Sequence, residues 1–378
     1  MTTQYETVIG LEVHSQLLTN SKMFCSCGSD YQNAQPNTRV CPICMGMPGV
    51  LPVVNKKAVE LVILTGLALG CGISETTKFD RKNYPYPDLM KGYQISQFDQ
   101  PIAGKGMLSV QDAEGKSKDI GVTRVHLEED VAKLLHRQES HGEGYSLLDI
   151  NRAGVPLMEI VSEPDMRSPE EAHNYLTSLH SIVRQIGAST ANMEAGSFRC
   201  DANISIRPFG TSTLGEKVEI KNVNSFRSVF RALKYEEERQ REAIENGEPI
   251  IQETRGWSDE RGTTISQRTK EYASDYRYFP EPDLPPIKIS RDWVHEVKSR
   301  LPELPAARKE RYLKDLQLSE YDADLLSTNL EFSILFDKTI TQFPNNDREK
   351  LSARSKSCLL YTSPSPRDAT LSRMASCA

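Results

Sequence analysis

Residues Val122–Asp165 run VTRVHLEEDVAKLLHRQESHGEGYSLLDINRAGVPLMEIVSEPD, and the periodicity of this stretch governs how the rest of the chain is understood. From Val122 to Asp130 the period is two, so Arg124, His126, Glu128 and Asp130 share one face of a strand. Thr123, Val125, Leu127 and Glu129 share the other, and Glu129 therefore continues an apolar face. Further on, LMEIV is a short apolar run of strand type with Glu159 at its centre. An ionised carboxylate in such a place costs several kcal/mol unless a cation or several donors meet it. Both positions call for a metal or a basic partner. Magnesium leads, because it takes oxygen ligands and usually arrives with substrate phosphates. The run of acids around Glu128 would equally suit the charged end of a strand turning into a solvated helix.

A second stretch weighs against that simpler reading. In VIGLEVHSQL near the N-terminus, Leu11 and Val13 face one way while Glu12, His14 and Gln16 face the other. A carboxylate and an imidazole two residues apart on one strand face can reach a single cation, although such a pair is more often a surface one. Upstream of the acidic stretch, MLSVQ and KDIGVTRVHLE are strand-like and joined through DAEGK, which predicts a hairpin that delivers Glu128 and Glu129.

The chain has 378 residues, 38% hydrophobic and 26% charged, enough for two or three domains of ordinary soluble character. The start MTTQYETVIG carries neither a basic region nor an apolar signal segment, and no apolar run is long enough to span a bilayer. Secreted and membrane classes are therefore not expected. A net charge of -6 argues against a protein that coats nucleic acid, while leaving room for local basic patches on phosphates.

Eight cysteines in a chain of cytosolic type point to metal before disulfides. Cys25 and Cys27, then Cys41 and Cys44 after thirteen intervening residues, form two knuckles suited to a tetrahedral, closed and hence structural zinc. Four reduced thiols in a loop are the alternative. Cys71 and Cys200 stand alone, as small buried hydrophobes do.

The scaffold is partly legible too. Asn55 caps a predicted helix over KKAVELVILTGLALG, and Ser168-Pro169-Glu170-Glu171 is a capping box opening a helix whose stripe runs from Ala172 to Ile186. Between these, KFDRKNYPYPDLMKGYQISQFDQPI has no sustained period and is expected to be a long functional loop. There Arg81 and Lys82 could hold phosphate oxygens, and Tyr84 and Tyr86 could offer stacking faces. The chain lacks GxxxxGK[ST], so no P-loop holds a nucleotide. Later strands, MEAGSFRCDANISIRP and KVEIKNVNSF, present Arg199, Asp201, Asn203, Lys221 and Asn222 as further polar groups.

Beyond spacing, whole words are shared with a known family. ETVIGLEVHSQL, PGVLPVVN, KFDRKNYPYPDLMKGYQISQFDQPI, RVHLEED, INRAGVPLMEIVSEPD, GSFRCDANISIRP and DYRYFPEPDLPP closely resemble the B-subunit family of the glutamyl-tRNA(Gln)/aspartyl-tRNA(Asn) amidotransferases, over about residues 5 to 345. The resemblance implies an α+β fold: a cradle domain over 1–289 on a mainly antiparallel sheet, like the catalytic core of glutamine synthetase, with a zinc knuckle at 25–44. A partial helical domain over 290–350 would follow. It implies an ATP-dependent amidotransferase subunit that phosphorylates the side-chain carboxylate of Glu-tRNA(Gln) or Asp-tRNA(Asn). Ammonia made from glutamine by a partner amidase, the A subunit of a heterotrimer, would then displace the phosphate, with a small C subunit clasping the two. The setting would be the cytoplasm, or an organellar matrix in a eukaryote. Carried over by position, the metal and phosphate-transfer site falls on Glu12, His14, Lys82, Glu128, Glu129 and Glu159, and zinc on Cys25, Cys27, Cys41 and Cys44. Phosphoryl transfer needs cations on the phosphates and an aligned nucleophile, so magnesium held by carboxylates, with Lys82 and Arg152, is a sensible kit for ATP.

The last stretch departs from that family. KSCLLYTSPSPRDATLSRMASCA is Ser-rich and aperiodic, resembling a frame-shifted or vector-derived tail over 351–378, and is expected to be disordered and to leave Cys358 and Cys377 without a role. The remaining helical part and the tail domain implied by the resemblance are not recognisable in it. Two rival functions remain at this level: a non-catalytic tRNA-binding subunit of the same complex, and a zinc or magnesium hydrolase acting alone. The first would explain the basic loop but not the inward carboxylates, and the second would need an open metal position and turnover without ATP or partners.

Overall fold

The two alternating stretches both become long strands, and each is held in the interior of one sheet. The structure is a computed structural model that describes residues 4–112, 114–138, 144–269 and 276–342. In chain order the elements begin with β1 (Tyr5–Gln16), α1 (Lys56–Ala68), β2 (Thr76–Thr77), β3 (Asp80–Asn83), β4 (Tyr93–Ser96), β5 (Gly106–Gln111) and β6 (Ser117–Glu129). There follow β7 (Lys133–Arg137), β8 (Tyr145–Asp149), β9 (Pro156–Ser162), α2 (Pro169–Gln185), β10 (Phe198–Pro208), β11 (Val218–Lys221) and α3 (Phe226–Glu245). The chain continues through β12 (Glu253–Ser258), β13 (Thr263–Thr269), β14 (Phe279–Pro280), β15 (Ile287–Lys288) and α4 (Arg291–Lys298) to α5 (Pro305–Asp315), α6 (Glu320–Thr328) and α7 (Leu330–Thr341).

An eight-stranded sheet in the order β13-β12-β11-β10-β1-β9-β6-β5 organises the first of two compact units, which ends at Leu301. Every pairing in it is antiparallel except β11 with β12, which are joined through a helix, α3. The expected mainly antiparallel sheet is therefore present, and the predicted β5–β6 hairpin pairs from Gly106↔Val122 to Gln111↔Ser117. Leu11, Val13, Val125, Leu127, Met158, Ile160 and Cys200 are all at most 2% exposed. They make one sheet face apolar, and α2 lies against it with Tyr175, Leu176 and Leu179 fully buried. Burying such a layer is the main source of stability, at roughly 1.5–3 kcal/mol for each large side chain.

Helix ends follow the sequence with one change. Asn55 Oδ1 accepts from Ala58 N at 3.2 Å and Ser168 Oγ accepts from Glu171 N at 3.2 Å, so both caps form. The return bond of the capping box goes elsewhere: Glu171 accepts from Arg167 N at 2.7 Å, one residue before the cap. The long loop expected over Lys78–Ile102 is also more ordered than its lack of period suggests. It contains β3 and β4, paired from Asp80↔Ser96 to Asn83↔Tyr93, with β14 added on the far side of β3. Strands of four residues are too short for a period to show.

The sequence places the start of a helical domain at residue 290, yet α4 lies within the first unit: Trp293 Nε1 and Arg300 both donate to the Glu60 carboxylate on α1, at 3.3 and 3.0 Å. The second unit begins at Pro302. In it Tyr312, Leu316, Ala323, Leu326, Phe336 and Ile340 bury a small core of their own, and Tyr312 and Arg311 both donate to Asp337. The Ser-rich tail, with Cys358 and Cys377, lies outside the described residues.

Candidate functional site

Register, more than sequence distance, builds the site. Across the polar face of the sheet, β10, β1, β9 and β6 bring Arg199 opposite His14, His14 opposite Glu159, and Glu159 opposite His126. One row of the sheet is thus Arg199, His14, Glu159 and His126. In the neighbouring rows Glu12 pairs with Asp201 of β10, and Glu128 lies opposite Leu157. Directly opposed side chains on one sheet face have Cβ atoms about 4.5–5.5 Å apart, close enough for their polar ends to meet.

They do meet. His14 Nε2 lies 3.3 Å from Glu159, 3.5 Å from Glu12 and 3.8 Å from Glu128. His126 Nε2 lies 3.5 Å from Glu159 and 3.8 Å from Glu128, and Arg124 stands 3.6 Å from Glu159. Ser96 Oγ of β4 donates to Glu128 at 3.0 Å. Lys82 of β3 completes the set: burial opposes its charge, but Glu128, Tyr278 and Glu159 outweigh that and raise it above an ordinary lysine. Its ammonium sits 4.8 Å over the Tyr276 ring, in an aromatic chain through Tyr84 and Tyr278 to Phe98.

The electrostatics follow from crowding. Glu128 and Glu159 are both buried, which favours the neutral acid, yet His126, His14 and Lys82 hold both below the usual carboxylate range. Glu12 is pushed up, by burial and then by Glu159. Burial lowers His14, and the Glu159, Glu128 and Glu12 carboxylates more than reverse it, to about 9. Because the folded value exceeds the ordinary 6.5, the charged imidazole stabilises the metal-free fold fully below about pH 6.5 and that contribution is lost as pH rises toward 9. Urea midpoints of metal-free protein should accordingly fall between pH 6.5 and 9, and His14→Gln should flatten that part of the profile. A variant with the same slope as the parent would assign the titration to another group.

Two expected members of the site point elsewhere. Glu129 faces away from Glu128, as the alternation of β6 requires, and accepts from Lys91 Nζ and, at 3.0 Å, from Ile95 N. Glu129→Gln should therefore cost about 2 kcal/mol of stability, by leaving the Lys91 ammonium without its charged partner, and should not alter the chemistry of the Glu128 cluster. Chemical denaturation of the variant checks this, and an unchanged midpoint would refute it. Arg152 donates to Val131 O at 2.8 Å and Ala132 O at 2.9 Å, so its guanidinium braces the end of β6. Arg81 is likewise engaged, as a bidentate partner of Glu281 at 2.7 and 2.8 Å. Tyr86 is exposed.

His126 and Asp201 are the additions that the sequence did not single out as site residues. His126-x-Glu128 mirrors Glu12-x-His14, and that reversed spacing was the available signal.

As to which ions these groups fit, ligand atoms from His14, Glu128 and Glu159 lie within 4.8 Å of one another, as do those from Glu12, His14 and Asp201. A set this rich in carboxylate oxygen suits a hard divalent cation. One sulfur each from Cys25, Cys27, Cys41 and Cys44 also falls within 4.8 Å, a donor set for a soft tetrahedral ion. Cys41 N points at Cys44 Sγ at 3.1 Å, and none of the described cysteines is in a disulfide. Gly46 closes this turn at φ 66, where a Cβ would come within 2.4 Å of Lys91 Cγ and 3.1 Å of its Cα, so only glycine lets the knuckle sit on the Lys91 backbone.

A family model described as the GatB/GatE catalytic domain matches residues 7–295. The chain belongs to the GatB/GatE family. It is 62% identical over 350 residues to the B subunit of the aspartyl/glutamyl-tRNA(Asn/Gln) amidotransferase of Dehalococcoides mccartyi strain CBDB1, covering 92% of this chain and 71% of that protein. The B subunit of the same enzyme from Thermomicrobium roseum is 56% identical over 337 residues, covering 89% and 69%. All of the residues that form the site, from Glu12 on β1 to Asp201 on β10, fall inside the matched residues. Among the described residues no helix is long and apolar enough to cross a membrane.

Proposed function

We propose that this chain is the activating subunit of a tRNA-dependent amidotransferase, converting Glu-tRNA(Gln) or Asp-tRNA(Asn) to Gln-tRNA(Gln) or Asn-tRNA(Asn). The supporting observation is the convergence of Glu12, His14, Glu128 and Glu159 from three strands beside Lys82, in a member of the GatB/GatE family. In this reading a carboxylate oxygen of the aminoacyl side chain attacks the γ-phosphorus of ATP, ADP leaves, and ammonia then displaces phosphate to give the amide. Glu12, His14, Glu128 and Glu159 would hold magnesium, which when bound screens the phosphate oxygens and lowers the cost of charge building up on them. Lys82 supplies a fixed positive charge to the phosphates, and the Tyr276 ring beneath it limits where the ammonium can go. Ser96 and His126 both meet Oε2 of the Glu128 carboxylate and fix its position. Arg152 and Glu129 shape the walls without facing the reacting groups.

The core would then share the antiparallel, carboxylate-lined plan of glutamine synthetase, which runs the same acyl-phosphate chemistry. Cys25, Cys27, Cys41 and Cys44 would bind a structural zinc. Ammonia would come from a partner amidase, the A subunit, clasped by a small C subunit, in the cytoplasm or an organellar matrix. ADP release that depends on Glu-tRNA or Asp-tRNA, followed by amidation when ammonium is supplied directly, is the deciding measurement. A complex that binds charged tRNA and never releases ADP would leave this chain with a binding role only.

A further inference from the structure

Four cations border the carboxylate cluster on the sheet face, and three already have a place in the site: two pair with its members and one serves the phosphates in the reading above. Arg124 contacts His126 at 3.3 Å and Glu159 at 3.6 Å. Lys82 sits 4.8 Å over the Tyr276 ring and is assigned above to the ATP phosphates, and Lys221 donates to Asp201 at 2.9 Å. The fourth, Arg199, is the end member of the central row, opposite His14. Among the described residues its only side-chain acceptor is Asp130, at 3.1 Å from one terminal nitrogen. Asp130 itself is buried and well supplied, by Gln16 at 2.7 Å, by Val131 N at 2.9 Å and by Arg152 at 3.6 Å. It holds Arg199 in place and does not depend on it alone. The Arg199 side chain is 34% exposed, so the remaining edge of a planar, pre-oriented fork is accessible beside the cluster. Gln16, which shares Asp130 with it, also lines a cavity of about 400 Å³.

A carboxylate brought to this cluster meets Glu12, Glu128, Glu159 and Asp201, all of like charge. Something must attract it, and a guanidinium with a free edge binds a carboxylate with two parallel hydrogen bonds. We propose that Arg199 binds the side-chain carboxylate of the aminoacyl group and is the residue by which the site prefers an acidic aminoacyl-tRNA to its amide product. This rests on the activation reading above. A neutral amide cannot make the charged pair, so conversion itself removes the contact and favours release.

The test uses the assembled amidotransferase with Arg199→Gln and Arg199→Lys, and three probes at fixed salt: Glu-tRNA, Gln-tRNA and uncharged tRNA. The parent should bind Glu-tRNA more tightly than Gln-tRNA, and Arg199→Gln should erase that preference and raise KM for Glu-tRNA roughly ten- to hundredfold. Binding of Gln-tRNA and uncharged tRNA should stay unchanged, and Arg199→Lys should recover part of the loss. If uncharged tRNA weakens equally, the guanidinium contacts a tRNA phosphate and the proposal fails. It fails also if only the melting temperature moves, since Arg199 then merely balances Asp130. Should Arg199→Gln fold poorly, Arg199→Gln with Asp130→Asn removes both charges together and is read the same way. A parent complex that prefers Glu-tRNA through Arg199 yet releases no ADP would remove the activation reading and keep the contact.

Discussion

Glu128→Gln should reduce ATP-dependent activation of Glu-tRNA by two to four orders of magnitude, about 3–5 kcal/mol in barrier, with tRNA affinity nearly unchanged. The substitution keeps the shape of a buried side chain, and Ser96 Oγ can still donate to the remaining oxygen. What it removes is one negative charge from the group around His14 and Lys82. Magnesium affinity should fall with it. Backbone phosphates gain nothing from an acidic residue, so binding of tRNA should not weaken. Supplying ammonium directly bypasses the amidase, and a defect that persists under that condition lies in carboxylate activation. Wild-type rates in the variant would make the cluster a structural one. Glu129→Gln, measured beside it, separates the two faces of β6: the first variant should lose rate per folded molecule, the second stability at constant rate per folded molecule.

Removing metal from the cysteine knuckle should have the larger effect on folding. Four sulfurs within 4.8 Å, with Cys44 buried and the Lys22 charge acting on it, form a cluster that a loop of irregular backbone cannot hold together by packing. The Cys44 contact and then burial push the Cys25 thiol up, while the same contact pulls Cys44 down. Structural zinc sites of this kind contribute on the order of 10 kcal/mol at neutral pH. Metal analysis should find one zinc per chain, and chelation, or Cys41→Ser with Cys44→Ser, should unfold the segment that contributes Phe24 and Gly46 to the wall around Lys91. A folded, zinc-free preparation with four freely titrating thiols would refute the site.

Much of the cluster was legible from alternation. Period two placed Glu12 with His14 and Arg124 with His126 and Glu128, and a charged residue inside LMEIV flagged Glu159. Alternation assigns a face and says nothing about which strand lies alongside. The partnership of His14 with Glu159 and Arg199 depends on β1 pairing with segments about 145 and 185 residues away, which no local pattern encodes. The same limit explains Arg152: its charge was visible, while the carbonyls of Val131 and Ala132 that absorb its donors become available only where β6 ends. Glu129 entered the metal set through the resemblance, while alternation had already put it on the face opposite Glu128, where it meets the basic partner Lys91. Adjacent glutamates on a strand cannot serve one cation, because successive side chains leave on opposite faces.

The central position of β1, bonded to β10 on one side and β9 on the other, also bears on how the chain avoids misassembly. A slip of one residue in either pairing would turn Leu11 and Val13 outward and drive Glu12 and His14 into the layer occupied by Tyr175 and Leu176. Burying those ionisable groups without partners costs several kcal/mol, so the slipped arrangement is disfavoured by the very residues that serve the chemistry. Charge at the reacting face thereby acts as a proofreading device for strand alignment. Neutralising the cluster would relax that selection during refolding, before any question of turnover arises.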